Sequence, residues 1–122
     1  AVQGINSTDV PVYIAHGNRD FVISFGHQSV ISHRDEIRKQ NVTYYIGTDA
    51  QAGHNTILHS LRAAAYQEKV GKDLKRLKKE YDRDLTQEEL TDFCNGVNHA
   101  LYSEVNMEMM QEIVNMFHKA LE

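Results

Sequence analysis

Val10-Pro11-Val12-Tyr13-Ile14-Ala15 and Val42-Thr43-Tyr44-Tyr45-Ile46 are the two stretches whose reading decides the fold. Both are short, apolar and rich in β-branched or aromatic side chains, the composition of a strand. Neither alternates cleanly between apolar and polar. That pattern fits strands covered on both faces, as in a parallel sheet. Pro11 suits the start of a strand, where a missing N–H costs little. Each run ends in a polar, turn-rich loop: His16-Gly17-Asn18-Arg19-Asp20 after the first, and Gly47 to Gly53 followed by His54 after the second. Between them, residues 27–39 place Val30, Ile31 and Ile37 on one helical face and Asp35, Glu36, Arg38 and Lys39 on the other. Strand, helix, strand over this length predicts a βαβ unit with parallel strands and a right-handed crossover.

After Thr56 the pattern turns wholly helical. Ile57, Leu58, Leu61, Ala64, Ala65, Val70, Leu74 and Leu77 form a long apolar stripe. Lys69 to Lys79 is basic, but Glu68, Asp73, Glu80 and Asp82 interleave with it, so it reads as a solvated face with ion pairs. Asp82-Arg83-Asp84-Leu85 is the one candidate linker. Thr86-Gln87-Glu88-Glu89 is a capping box, and a helix bearing Leu90, Phe93 and Val97 should follow. Asn106 can cap a last helix whose inner face is Met109, Met110, Ile113, Phe117 and Leu121. The expected organisation is therefore α/β: residues 1–60 a βαβ segment with two polar loops, and residues 61–122 a helical tail.

The composition narrows the function classes. With 122 residues, 41% apolar and 25% charged, the chain suits one globular domain. The net charge of −4 gives no basic excess for a nucleic acid. No apolar run approaches the roughly 20 residues of a membrane span. Residues 1–9 lack the basic start and apolar stretch of a signal peptide. The chain begins as if cut from something longer, with a strand following almost at once. The compartment stays open. Cys94 is the single cysteine, so no internal disulfide forms, and it reads as a partly buried small apolar residue. Asn6-Ser7-Thr8 and Asn41-Val42-Thr43 match the short, common glycosylation pattern. No Cys/His cluster has zinc spacing and no H-E-x-x-H occurs, so no metal or cofactor is expected.

Catalytic groups in open α/β sheets gather at the carboxyl ends of the strands. There the first loop offers Asp20 and the second offers His54. A carboxylate that orients an imidazole is two thirds of a nucleophilic triad. The residues around them resemble a family. VPVYIAHGNRD at 10–20 looks like the seventh strand and acid loop of α/β-hydrolases, and NVTYYIGTDAQAGH at 41–54 looks like the eighth strand and its histidine loop. The resemblance covers residues 10–60. It implies the C-terminal βαβ part of a hydrolase-like parallel sheet, with Asp20 as the acid and His54 as the base.

The chain departs from that family in three ways. There is no G-x-S-x-G, and Ser24 and Ser29 are wrongly placed to replace its serine. The earlier strands and the oxyanion loop are missing. The tail is too long, which leaves His99 as an alternative base: Asn98-His99-Ala100 precedes a helix that resembles the family's terminal one, although no strand leads into it. His16 reads as a loop support by hydrogen bonding. The expected function is the acid-and-histidine part of a serine hydrolase acting on a small ester, thioester or amide, inactive alone. The nucleophile would come from another chain or a missing N-terminal part, and homo-oligomerisation is also open. Two further readings stand beside it. One is a non-catalytic α/β interaction domain. The other is a metallophosphoesterase fragment, because GNRDF at 17–21 is similar to a segment of enzymes that cleave UDP-diacylglucosamine, although the Asp-x-His they need upstream is absent.

Overall fold

A computed structural model describes residues 1–122. It is a mixed α/β structure. Strands β1 (Val12–Gly17) and β2 (Val42–Gly47) pair in parallel, with Val12 opposite Val42 and Gly17 opposite Gly47. Both runs begin and end close to the expected positions, with Pro11 just ahead of β1. Each strand keeps one edge unpaired. The helices are α1 (Val2–Asn6), α2 (Leu61–Tyr81), α3 (Gln87–Asn95), α4 (His99–Tyr102) and α5 (Met107–Ala120). Apart from the sheet partnership, α2 packs mainly on α4 and on the histidine loop.

The crossover departs from expectation. In place of an α-helix it holds a 3-10 segment, Ile31–Glu36, kinked at His33. Side chains here compete with the helical ladder. The buried Ser29 hydroxyl donates to the Phe25 carbonyl and accepts from Ser32 N–H, while the Ser32 hydroxyl donates to the Ser29 carbonyl. Ile31 is still the buried apolar anchor, with Val30 and Ile37 half-buried. Asn6, the first glycosylation match, already uses its side chain as a clamp: it donates to the Glu36 carbonyl and accepts from Arg38 N–H.

Adjacent strand residues point to opposite faces. Tyr13 and Tyr45 face α5: the Tyr13 hydroxyl donates to Glu112, and Tyr45 meets Asn106. Burial, reinforced by the Glu112 carboxylate, raises the Tyr13 pKa. His16, of opposite parity to Tyr13, meets the crossover through Ile23 and Phe25.

Two helix phases differ from the expected stripes. Ile57 and Leu58 lie in a 3-10 turn, and α2 starts only at its Ser60 cap. Ala63 and Ala64 are therefore the buried pair, while Leu61 and Ala65 are exposed. On α5 the sheet side carries Met109, Glu112, Ile113 and Met116. Met110, Phe117 and Leu121 face outward. Cys94 is exposed, not partly buried. The Thr86–Glu89 capping box and the Asn106 cap form as expected, and Asp82 ends α2 in the left-handed conformation.

Asn106 fixes the phase of α5. It is buried, its Oδ1 accepts from Met109 N–H, and its amide donates to the Tyr45 hydroxyl and the Ile57 carbonyl, both at 3.0 Å. Losing a cap costs about 1 kcal/mol, and an unpaired buried carbonyl adds about 1–3 kcal/mol. Asn106→Ala is therefore expected to destabilise the chain by about 3 kcal/mol. Asn98→Ala, at the exposed cap of α4, should cost about 1 kcal/mol or less. Urea midpoints of the two variants compare them directly, and equal losses would remove the anchoring role.

Candidate active site

Both post-strand loops fold back over the carboxyl edge of the sheet. Glycine makes this possible at the paired strand ends. A Cβ on Gly17 would lie 2.1 Å from the Ala52 carbonyl oxygen, and one on Gly47 would lie 2.2 Å from that of Gln51. Arg19 N–H then donates to the Ala52 carbonyl at 2.9 Å, and Asn18 N–H to that of Gly47 at 2.9 Å. Thr56 tightens the second loop by accepting from Gly53 N–H.

The fold brings Asp20 and His54 together. His54 Nδ1 lies 2.8 Å from Asp20 Oδ2. The carboxylate accepts, so Nδ1 carries the hydrogen and Nε2 is the basic nitrogen. Nε2 makes no hydrogen bond within the chain, and the His54 side chain is 40% exposed against 4% for Asp20. Burial on its own would raise the Asp20 pKa. The opposing hydrogen bonds from Ile23 N–H, the His54 ring and Val22 N–H prevail and hold it down at about 2. Asp20 is thus an ionised, oriented acceptor, and His54 presents a free nitrogen outward.

His99 opens α4 on the surface and is not among the partners of Asp20. Ser24 is only half-buried, and the Ser29 hydroxyl is buried and engaged with the backbone. Sequence reasoning missed the Val22 and Ile23 donors, although an Asp at the head of a turn commonly accepts from N–H groups two residues on. It also missed Gln51, which is buried between the Tyr45 hydroxyl and the His59 carbonyl and fixes the floor of the histidine loop.

A cleft of about 500 Å³ lies at this edge, lined by Arg19, Phe21, Ala52, Gly53, Thr56 and Tyr102 among others; it takes in chain neighbours of Asp20 and His54 but neither residue itself. A groove of about 830 Å³ lies at the other end of the strands, between Val10, Val42 and Met116. Only the first sits at the edge where such sheets bind ligands. Within these 122 residues no three His, Cys, Asp or Glu side chains converge in a metal-holding geometry, so a two-metal site would need ligands from outside them.

No family model, no curated protein and no solved structure matches this chain. No helix is long and apolar enough to cross a membrane.

Proposed function

We propose that this chain supplies the acid and the base of an α/β-hydrolase-type serine hydrolase whose nucleophile lies outside residues 1–122. The observation that carries the reading is the 2.8 Å contact between Asp20 and His54 Nδ1 at the carboxyl edge of two parallel strands. In this reading His54 Nε2 takes the proton from an incoming serine hydroxyl as its oxygen attacks the acyl carbon, then returns it to the leaving group. Asp20 stays ionised and stabilises the imidazolium. The substrate class is a small ester, thioester or amide, and no cofactor is required.

Only 12 of 122 residues are buried, both sheet edges are unpaired, and Phe21, Val22, Leu61 and Phe117 are largely exposed. A neighbour that extends the sheet would cover strands now half-buried. The same apolar surface favours the interaction-domain alternative, and chemistry separates the two.

The native polypeptide or complex, isolated from its source through a tag on this segment, is treated with a fluorophosphonate probe. Labelling is expected on a serine outside residues 1–122, and it should vanish with His54→Ala. The 122-residue chain alone should show no labelling at Ser24 or Ser29. Labelling that survives His54→Ala, or none in the native species, overturns the hydrolase reading.

A further inference from the structure

His16 ends β1 beside the acid. Its Nε2 lies 2.9 Å from the Ile23 carbonyl oxygen and 3.3 Å from Asp20 Oδ2. A carbonyl only accepts, so Nε2 carries the proton and Nδ1 is left bare in the neutral ring. The ring is 14% exposed and packs in a tilted, edge-type arrangement with Phe25, ring centroids 5.7 Å apart. Ile23 is also the residue whose N–H donates to Asp20 Oδ1, at 2.9 Å. His16 therefore grips the carbonyl of the residue whose amide grips the acid.

That grip matters because packing does not hold this turn. Phe21 is 97% exposed, Val22 69% and Ile23 41%. The Asp20 N–H bond to the Gly17 carbonyl is long, at 3.3 Å. Asp20 itself is buried, but residues 21–23 are held mainly by hydrogen bonds, and His16 is the sheet side chain that reaches them.

We infer that His16 is a positioning residue for Asp20: it clamps the turn 20–23 from the sheet and so sets the carboxylate orientation that selects the Nδ1–H form of His54. This rests on reading Asp20 and His54 as a working pair. His16 acts through Asp20 and stands outside the proton path.

The test is nuclear magnetic resonance of the whole chain with labelled histidine and aspartate. In the wild type, neutral His16 should carry its proton on Nε2 and neutral His54 on Nδ1. In His16→Gln the side-chain amide can replace the Nε2 donor, and both the His54 form and the low Asp20 titration should persist. In His16→Leu the donor is gone. The Asp20 titration should then move up from about 2 toward 3.8, and His54 should become a mixture of ring forms. Thermal unfolding is followed in parallel. A purely structural role would lower stability in both variants and leave the Asp20 titration and the His54 form unchanged, which overturns the inference. Wild-type His16 protonated on Nδ1 alone overturns it without any variant, so a misfolded Leu variant does not block the test. Wild-type His54 protonated on Nε2 instead fails the pair itself, a different and recognisable result.

Discussion

If the proposed hydrolase reading holds, Asp20→Asn is expected to lower turnover of the completed enzyme by about four orders of magnitude, the loss seen when a triad acid becomes an amide. The fold should survive, because the Asn oxygen can still accept from Val22 and Ile23 N–H as Asp20 Oδ1 does. What changes is the atom facing His54. An amide NH₂ donates to Nδ1, the ring proton moves to Nε2, and Nε2 can no longer accept from serine. The variant also has a signature in the isolated chain. Asp20 titrates at about 2 when folded against 3.8 when free. Folding therefore favours its ionised form. That stability is complete above about pH 4 and is lost as the pH falls from 4 toward 2. Glu104, held at about 2 by Arg62, gives a similar decline in both proteins, so the difference between wild type and variant isolates Asp20. Urea unfolding at pH 4, 3 and 2.5 should show that difference shrinking as the pH falls. Turnover within tenfold of wild type would refute the role of Asp20.

Gly17→Ala is expected to be the most disruptive small substitution. The added carbon would meet three backbone atoms at once: the Ala52 oxygen at 2.1 Å, the Ala52 carbon at 2.5 Å and the Gly53 oxygen at 2.7 Å. Backbone cannot swing aside as a flexible side chain can. Either β1 or the histidine loop must move, and overpacking of this kind costs about 3 kcal/mol, or roughly 10 °C in Tm for a chain of this size. The shift also lengthens the Asp20–His54 contact, because Ala52 and Gly53 directly precede His54. Gly71→Ala is the control: it lies mid-helix with nothing within 4 Å of the new carbon, and should stabilise α2 by about 0.5–1 kcal/mol. Differential scanning calorimetry of the two variants compares them. A Gly17→Ala midpoint within 2 °C of wild type would show that the loops are not packed on the strand ends as described.

What could be read from the sequence was local. The apolar runs at 10–15 and 42–46, the Thr86–Glu89 box and the Asn106 cap each depend on neighbours a few residues away, and each appears in the structure, the first strand starting two residues later than its run. Asp20 and His54 were found because two parallel strands must deliver their following loops to one edge. What could not be read depends on distant partners. The phase of α5 is set by Tyr13, Tyr45 and Ile57 through Glu112 and Asn106, contacts that no helical periodicity contains. The crossover is diverted from an α-helix by serine hydroxyls on its own backbone. The short helix Val2–Asn6 has no side-chain cap and carries Gly4 within it, so nothing local announces it.

The chain leaves the sheet region at Ser60 and returns to it at Glu104, and these two ends touch. Ser60 N–H donates to the Glu104 carbonyl, Asn106 N–H donates to the Leu58 carbonyl, and His59 bridges Val105 in antiparallel fashion. Arg62 forks onto the Glu104 carboxylate across the same junction. Residues 61–103 are thus topologically a side branch, joined at a stem and braced by the first turn of α2. Lengthening or shortening the branch beyond that turn leaves the stem spacing unchanged. In connectivity, α5 therefore follows the histidine loop almost directly, with residues 61–103 looped out between them.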